Sequence, residues 1–149
     1  QRSGEGIVQM GRNNLDTPDI LKLSTQNENE FVIVQEFLSS VYQGDKRIFL
    51  VDGTPIGWMN RLPPPNDFRA NIHRGATFEK CELTDRDIHI INTVNPELSK
   101  LDIPIVGLDI IGEYLSEVNV TSPSGIPEIN KITGKKHEGH IVDYLEMRI

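Results

Sequence analysis

The sequence predicts an α+β fold, a mainly antiparallel sheet with packed helices, and three stretches carry that prediction. Lys46 to Met59 reads KRIFLV, then Asp52-Gly53, then TPIGWM, the pattern of two strands joined by a tight turn. From Pro104 the pattern recurs: an apolar β-branched run to Ile111, then Gly112-Glu113, then a second run from Tyr114 to Val120. Between them Thr84 opens a helical stretch, with Asp85 and Asp87 in its first turn and Ile88, Ile90, Ile91, Val94 and Leu98 behind.

Gly4 and Gly6 flank Glu5 ahead of Ile7 and Val8. Backbone without side chains can approach a phosphate there and offer N–H donors, although any turn before a strand carries such glycines too. Asn13 to Asp19 is polar, and Pro18 near the start of DILKLS predicts a short helix capped by Asp16 or Thr17. Phe31 to Phe37, FVIVQEF, is continuously apolar until its polar pair, which predicts a buried strand.

In the first hairpin Arg47 alternates in phase with Phe49 and Val51, away from Ile48 and Leu50. An arginine on an inner face needs an anion to offset its desolvation; the alternative is an ion pair at the surface. Trp58 is assigned to the core rather than to base stacking. Asn60 to Thr77 changes character, with Pro63-Pro64-Pro65 followed by Arg69, Asn71, His73 and Arg74. Such a loop is either a lid or a solvated surface segment.

Pro96 is a candidate break in the long helix, and His89 is placed on that helix's surface. Near the end, Ile141, Tyr144 and Leu145 form one apolar stripe over Glu138 to Met147. His137 and His140 are assigned to solvent rather than to a metal.

The second hairpin carries the densest chemistry. Leu115, Glu117, Asn119 and Thr121 share one face by the two-residue period, so an acid and an amide point the same way. Asp109 joins them if a three-residue connection centred on Glu113 pairs it with Glu117, whereas a two-residue turn pairs it with Ser116. The three-residue connection is expected here. Two carboxylates and an amide suit Mg²⁺ or Mn²⁺, with water and phosphate completing the shell. The same alternation also describes a half-exposed strand whose polar residues merely face water. Thr121-Ser122-Pro123-Ser124-Gly125 then offers hydroxyls and backbone donors near that face.

At 149 residues the chain has the length of one domain with a real core. Its net charge of −7 argues against a nucleic-acid footprint or an anionic membrane surface. The single cysteine, Cys81, permits no internal disulfide and is read as a structural thiol. With no signal peptide, long apolar span or internal repeat in the sequence, a cytoplasmic protein without membrane or nucleic-acid partners is the expectation.

GLDIIGEYLSEVNVTSPSGI resembles the metal-binding hairpin and following loop of bacterial glutathione synthetase, an ATP-grasp ligase. VQEFLSSVYQGDKRIFLVDGTPIG resembles that family's hinge and next hairpin, DFRANIHRGA its substrate loop, and the SGEG at Ser3 to Gly6 the end of its glycine-rich ATP loop. The motifs stand in the family's order. The resemblance implies an ATP-grasp fold, and it implies that residues 1–149 are the carboxy-terminal part of the ATP-grasp domain, with the amino-terminal domain and the first part of the ATP-grasp domain absent.

For the site, the resemblance implies Gly4 and Gly6 at the nucleotide phosphates, backbone groups of Glu36, Phe37 and Leu38 at adenine, and Asp45 accepting from the ribose hydroxyls. It puts Arg47 near the triphosphate and Mg²⁺ on Asp109, Glu117 and Asn119. Arg69 and Asn71 match the RxN pattern that meets the transferred phosphoryl group and the substrate, and Ser122 and Ser124 lie in the loop that holds the peptide. The implied reaction joins γ-glutamylcysteine to glycine with ATP through an acyl phosphate, in a homo-oligomer. A related carboxylate-amine ligase and a non-catalytic ATP-binding module are the alternatives. Gln1, Arg2, Ala76 and Pro127 depart from the family's usual residues.

Overall fold

Antiparallel ladders and the turns between them set the frame of the computed structural model, which describes residues 6–11, 16–71 and 75–149. The chain divides into two units, Gln1–Ser39 and Ser40–Ile149. The first has α1 (Thr17–Ser24) as its helix, with Pro18 in the first turn. Asp16 is the N-cap residue but makes no side-chain cap bond, while the Thr17 hydroxyl donates to the Gly11 carbonyl at 3.1 Å.

No described residue of this unit is buried. The expected strand from Phe31 to Phe37 is absent, and Phe31 and Ile33 are 106% and 88% exposed. A strand exists only where a neighbour supplies N–H and C=O partners, and the five described strands pair with one another.

The second unit holds a sheet in the order β3-β2-β1-β4-β5, antiparallel throughout. Strands β1 (Asp45–Val51) and β2 (Thr54–Leu62) are joined by Asp52 and Gly53, both at positive φ, as a primed two-residue turn requires. β4 (Ile105–Ile111) lies on the other side of β1, and β5 (Tyr114–Asn119) and the short β3 (Thr77–Glu79) form the edges.

The β4–β5 connection differs from the one expected. Ile111 pairs with Tyr114, so the turn is the two residues Gly112 and Glu113 rather than three. A bulge at Ser116 then restores the pairing of Asp109 with Glu117, and the Ser116 hydroxyl donates to the Asp109 carbonyl at 3.0 Å. The inserted residue also shifts the alternation. Leu115 turns to the face of Ile110 and packs in the core, away from Glu117, with which the simple two-residue period had grouped it.

On that core face Ile48, Leu50, Val106, Leu108 and Ile110 meet Ile90, Ile91 and Leu98 of α2 (Asp85–Lys100). Each such side chain contributes about 1.5–3 kcal/mol on burial. Thr84 and Asp87 form a reciprocal capping box, and buried Asp87 also pairs with Lys46 of β1. One carboxylate therefore closes the helix and ties its start to the sheet. Helix α2 continues through Pro96, which is exposed.

The opposite face packs Phe49 and Met59 against Ile129 of α3 (Ile126–Thr133), with Ile141 of α4 (Glu138–Glu146) beside them. The sequence reading missed α3, although Pro127 in its first turn and Gly134 at φ 72° past its end are helix punctuation. A Cβ on Gly57 would lie 2.9 Å from Ile129, so the glycine lets α3 seat on the sheet.

His137 is buried, contrary to the expectation of exposure. A β1–β2 bulge leaves the Ile56 carbonyl outside the ladder, where the His137 ring meets it, and the other ring nitrogen meets the Thr133 hydroxyl at 3.0 Å. His89 and His140 are exposed. The Trp58 indole packs on the core and donates to the Cys81 carbonyl at 2.9 Å; burial pushes the Cys81 thiol up, which suits an unreactive role. Among the described residues no helix is long and apolar enough to cross a membrane.

Candidate active site

The sheet's register sorts the polar residues of the α3 face into rows. Phe78, Arg61 and Asp45 lie across β3, β2 and β1. Met59, Arg47, Asp109 and Glu117 form the next row across β2, β1, β4 and β5, and Gly57, Phe49, Gly107 and Asn119 the third. Helix α3 covers the Phe49 end, so the charged rows mark where the apolar cover stops.

Arg47 is 5% exposed and Asp109 3%, and the anion that offsets the buried arginine is this aspartate. Arg47 Nε donates to Asp109 Oδ1, and Nη2 donates to Oδ2 at 2.8 Å. Its remaining nitrogen, Nη1, donates to the Ser124 carbonyl at 2.8 Å, so the loop after β5 is fastened to the same guanidinium. Gly107 makes room for this contact: a Cβ there would stand 3.1 Å from Pro123 and 3.3 Å from Arg47 Nη1.

Arg61 completes a quartet that sequence reasoning missed. Its Nη2 lies 2.6 Å from Asp45 Oδ2 and 3.0 Å from Asp109 Oδ1. The available signal was its alternation with Met59 on β2, which places it on the inner face. Burial alone would raise the Asp109 pKa, but hydrogen bonds and charge from Arg47 and Arg61 outweigh it and hold the carboxyl below its ordinary range.

Asp45 behaves oppositely: burial pushes it up to about 6, with Arg61 offsetting part of the rise and Asp109 adding to it. Its folded pKa lies above its unfolded value, so folding takes up a proton in the window between the two, from about 4 to about 6. Stability carried by this group is therefore lost as pH rises through that window. Asp45→Asn, which cannot ionise, is expected to gain stability relative to the parent chain from pH 4 to pH 6 and to hold that gain above. Urea midpoints of both proteins across this range check it, and a pH-independent difference would show an ordinary carboxylate.

Glu117 is exposed, and Asn119 is half-buried. The Asn119 amide donates to the Gly107 carbonyl and to Asp109 Oδ2, each at 3.3 Å. The donor set of two carboxylates and an amide, gathered on one face by the register, suits a hard cation. Both Asp109 oxygens already accept hydrogen bonds, which leaves Glu117 as the open carboxylate of the set. Among the described residues no three histidine, cysteine, aspartate or glutamate side chains cluster as a cation site.

The remaining candidates are spread more widely. Arg69 turns back on Asp67, with Nε at 2.9 Å and Nη2 at 2.8 Å, and this pairing lowers the Asp67 pKa. Asn71 is half-buried, and Ser122 and Ser124 are exposed residues of the fastened loop itself. Glu36, Phe37 and Leu38 belong to the unit Gln1–Ser39, as does Gly6, which has a φ of 78°. Gly4, His73 and Arg74 lie outside the described residues.

The fold is that of the ATP-grasp ligases. The chain is similar to D-alanine–D-alanine ligase from Bacillus anthracis, solved with ATP, at a TM-score of 0.53 and 13% identity over 89% of this chain and 46% of that one. It is also similar to the ATP-grasp ligase PsnB, solved with a minimal precursor, at a TM-score of 0.55 and 16% identity over 92% of this chain and 43% of that one.

Within that class, the chain belongs to the family of the prokaryotic glutathione synthetase ATP-grasp domain, whose model matches residues 1–134. It is 43% identical over 147 residues to a glutathione synthetase of Coxiella burnetii, and 40% identical over 145 residues to one of Agrobacterium fabrum. These matches take in 98% and 97% of this chain. The chain spans 46% of the length of each of those two relatives.

Proposed function

We propose that the protein to which this chain belongs joins γ-glutamylcysteine to glycine, with ATP converted to ADP and phosphate. The cysteinyl carboxylate takes the γ-phosphoryl group to form an acyl phosphate, and the glycine amine displaces phosphate from it. Such chemistry asks the protein for position and charge more than for a nucleophile. The chain corresponds to the carboxy-terminal part of the ATP-grasp domain, works in the cytoplasm within a homo-oligomer, and is inactive alone.

The observation that carries this reading is the register of Asp109 with Glu117 beside two buried arginines, on a chain of the glutathione synthetase family. Asp45 accepts from the ribose hydroxyls, Gly4 and Gly6 lie at the phosphates, and the backbone of Glu36, Phe37 and Leu38 meets adenine. Arg47 offsets charge on the transferring group while fastening the Ser124 loop, where Ser122 and Ser124 contact the peptide. Arg69 and Asn71 close over the phosphoryl group and the acid. Mg²⁺, held by Asp109, Glu117 and Asn119 when bound, neutralises phosphate oxygens.

The test is ADP release by the full-length protein with Mg²⁺ and ATP, omitting γ-glutamylcysteine and glycine in turn. Release that needs both, with glutathione appearing in step, is the expected result. Release with other acids or amines would replace the substrates with those of a related ligase. ATP binding without any substrate-dependent release would make the protein a non-catalytic module.

A further inference from the structure

We infer that Arg61 is a positioning residue for the nucleotide end of this site, gripping Asp45 at two points so that one carboxylate oxygen stays fixed as a free acceptor. The inference rests on the reading of Asp45 as the ribose acceptor. Arg61 and Asp45 are direct partners in the β1–β2 ladder. Arg61 Nη2 donates to Asp45 Oδ2 at 2.6 Å, and Nε donates to the Asp45 main-chain carbonyl at 3.3 Å. Holding a side-chain oxygen and the carbonyl of the same residue leaves the carboxylate little torsional freedom.

The second carboxylate oxygen, Oδ1, is buried and has no hydrogen-bond partner. An orphaned buried acceptor is costly, and a ligand hydroxyl arriving there removes the cost. Arg61 is itself 7% exposed, and the nitrogen that grips Asp45 also lies 3.0 Å from Asp109 Oδ1. The same cation thus ties the ribose carboxylate on β1 to the phosphate-end carboxylate on β4. A lysine ammonium is a point donor on a flexible stem and does not reproduce the planar grip.

The experiment compares ADP with 2′,3′-dideoxy-ADP, by calorimetric dissociation constants, on the full-length protein and its Arg61→Lys and Arg61→Gln variants. The parent protein is expected to favour ADP by about tenfold or more, the scale of a lost hydrogen bond to a charged acceptor. In the variants that preference is expected to fall to about twofold or less. Equal weakening of both nucleotides, with the preference kept, would mean that Arg61 acts on the phosphates directly and would overturn the inference. A lowered melting temperature with both affinities unchanged would overturn it as well, by making the role purely structural. No preference in the parent protein would instead remove the ribose reading beneath it. Two variants are used so that the preference is read from whichever folds.

Discussion

Asp109→Asn is expected to lower the stability of the chain by about 3–5 kcal/mol, the usual cost of stripping one partner from a buried ion pair. The substitution keeps the side chain's shape but leaves Arg47 with no carboxylate, and Arg61 with Asp45 alone, in a site where each arginine is under a tenth exposed. Urea unfolding measures the loss. Arg47 also fastens the Ser124 carbonyl, so cleavage in the loop from Thr121 to Gly125 should quicken under limited proteolysis. A loss below about 1 kcal/mol, with an unchanged digestion pattern, would mean that the quartet does not hold the sheet's polar face together.

Glu117→Gln is expected to spare the fold. Glu117 is exposed, so stability should stay within about 0.5 kcal/mol of the parent. Turnover by the full-length protein should nevertheless fall by about 10²–10³-fold, as when one preorganised charge-stabilising group is removed. Near-normal activity would withdraw Glu117 from the metal set. The two residues face each other across β4 and β5 and both belong to the proposed metal set. Both changes should therefore lower turnover, but only the Asp109 change should also cost stability. Burial makes the difference, since an exposed carboxylate loses little solvation on folding and a buried one depends on its partners.

The role of Asp109 also marks where reading the sequence stopped. Alternation placed Arg47 on an inner face, and the physical demand for an anion followed from that. Which anion could not follow, because β1 and β4 are 62 positions apart at the two paired residues and only the ladder brings them opposite. Arg61 was passed over for the same reason: its two carboxylate partners lie on β1 and β4.

Local chemistry was legible where its cause was local. The Asp52-Gly53 turn, the Thr84 start of α2 and the two hairpins follow from φ preferences, capping groups and apolar alternation within a few residues. Family membership was legible as well, since several motifs stood in one order, and the family model covers residues 1–134. Pairing was harder. Asp109 does face Glu117 as expected, but through a two-residue turn corrected by the Ser116 bulge, and that bulge moved Leu115 to the other face. A one-residue insertion costs little in sequence pattern and inverts every side chain beyond it.

The sequence by itself determined the α+β class, the antiparallel hairpins, the family and the residue types of the candidate site, because those depend on short-range periodicity and motif order. Only the tertiary structure decided that FVIVQEF forms no strand in this chain, that His137 is buried against a bulge carbonyl, and that two arginines and two aspartates close into one buried quartet. Those outcomes depend on which strand lies beside which, and a buried charge or an unpaired backbone group takes its energy from neighbours distant in the chain.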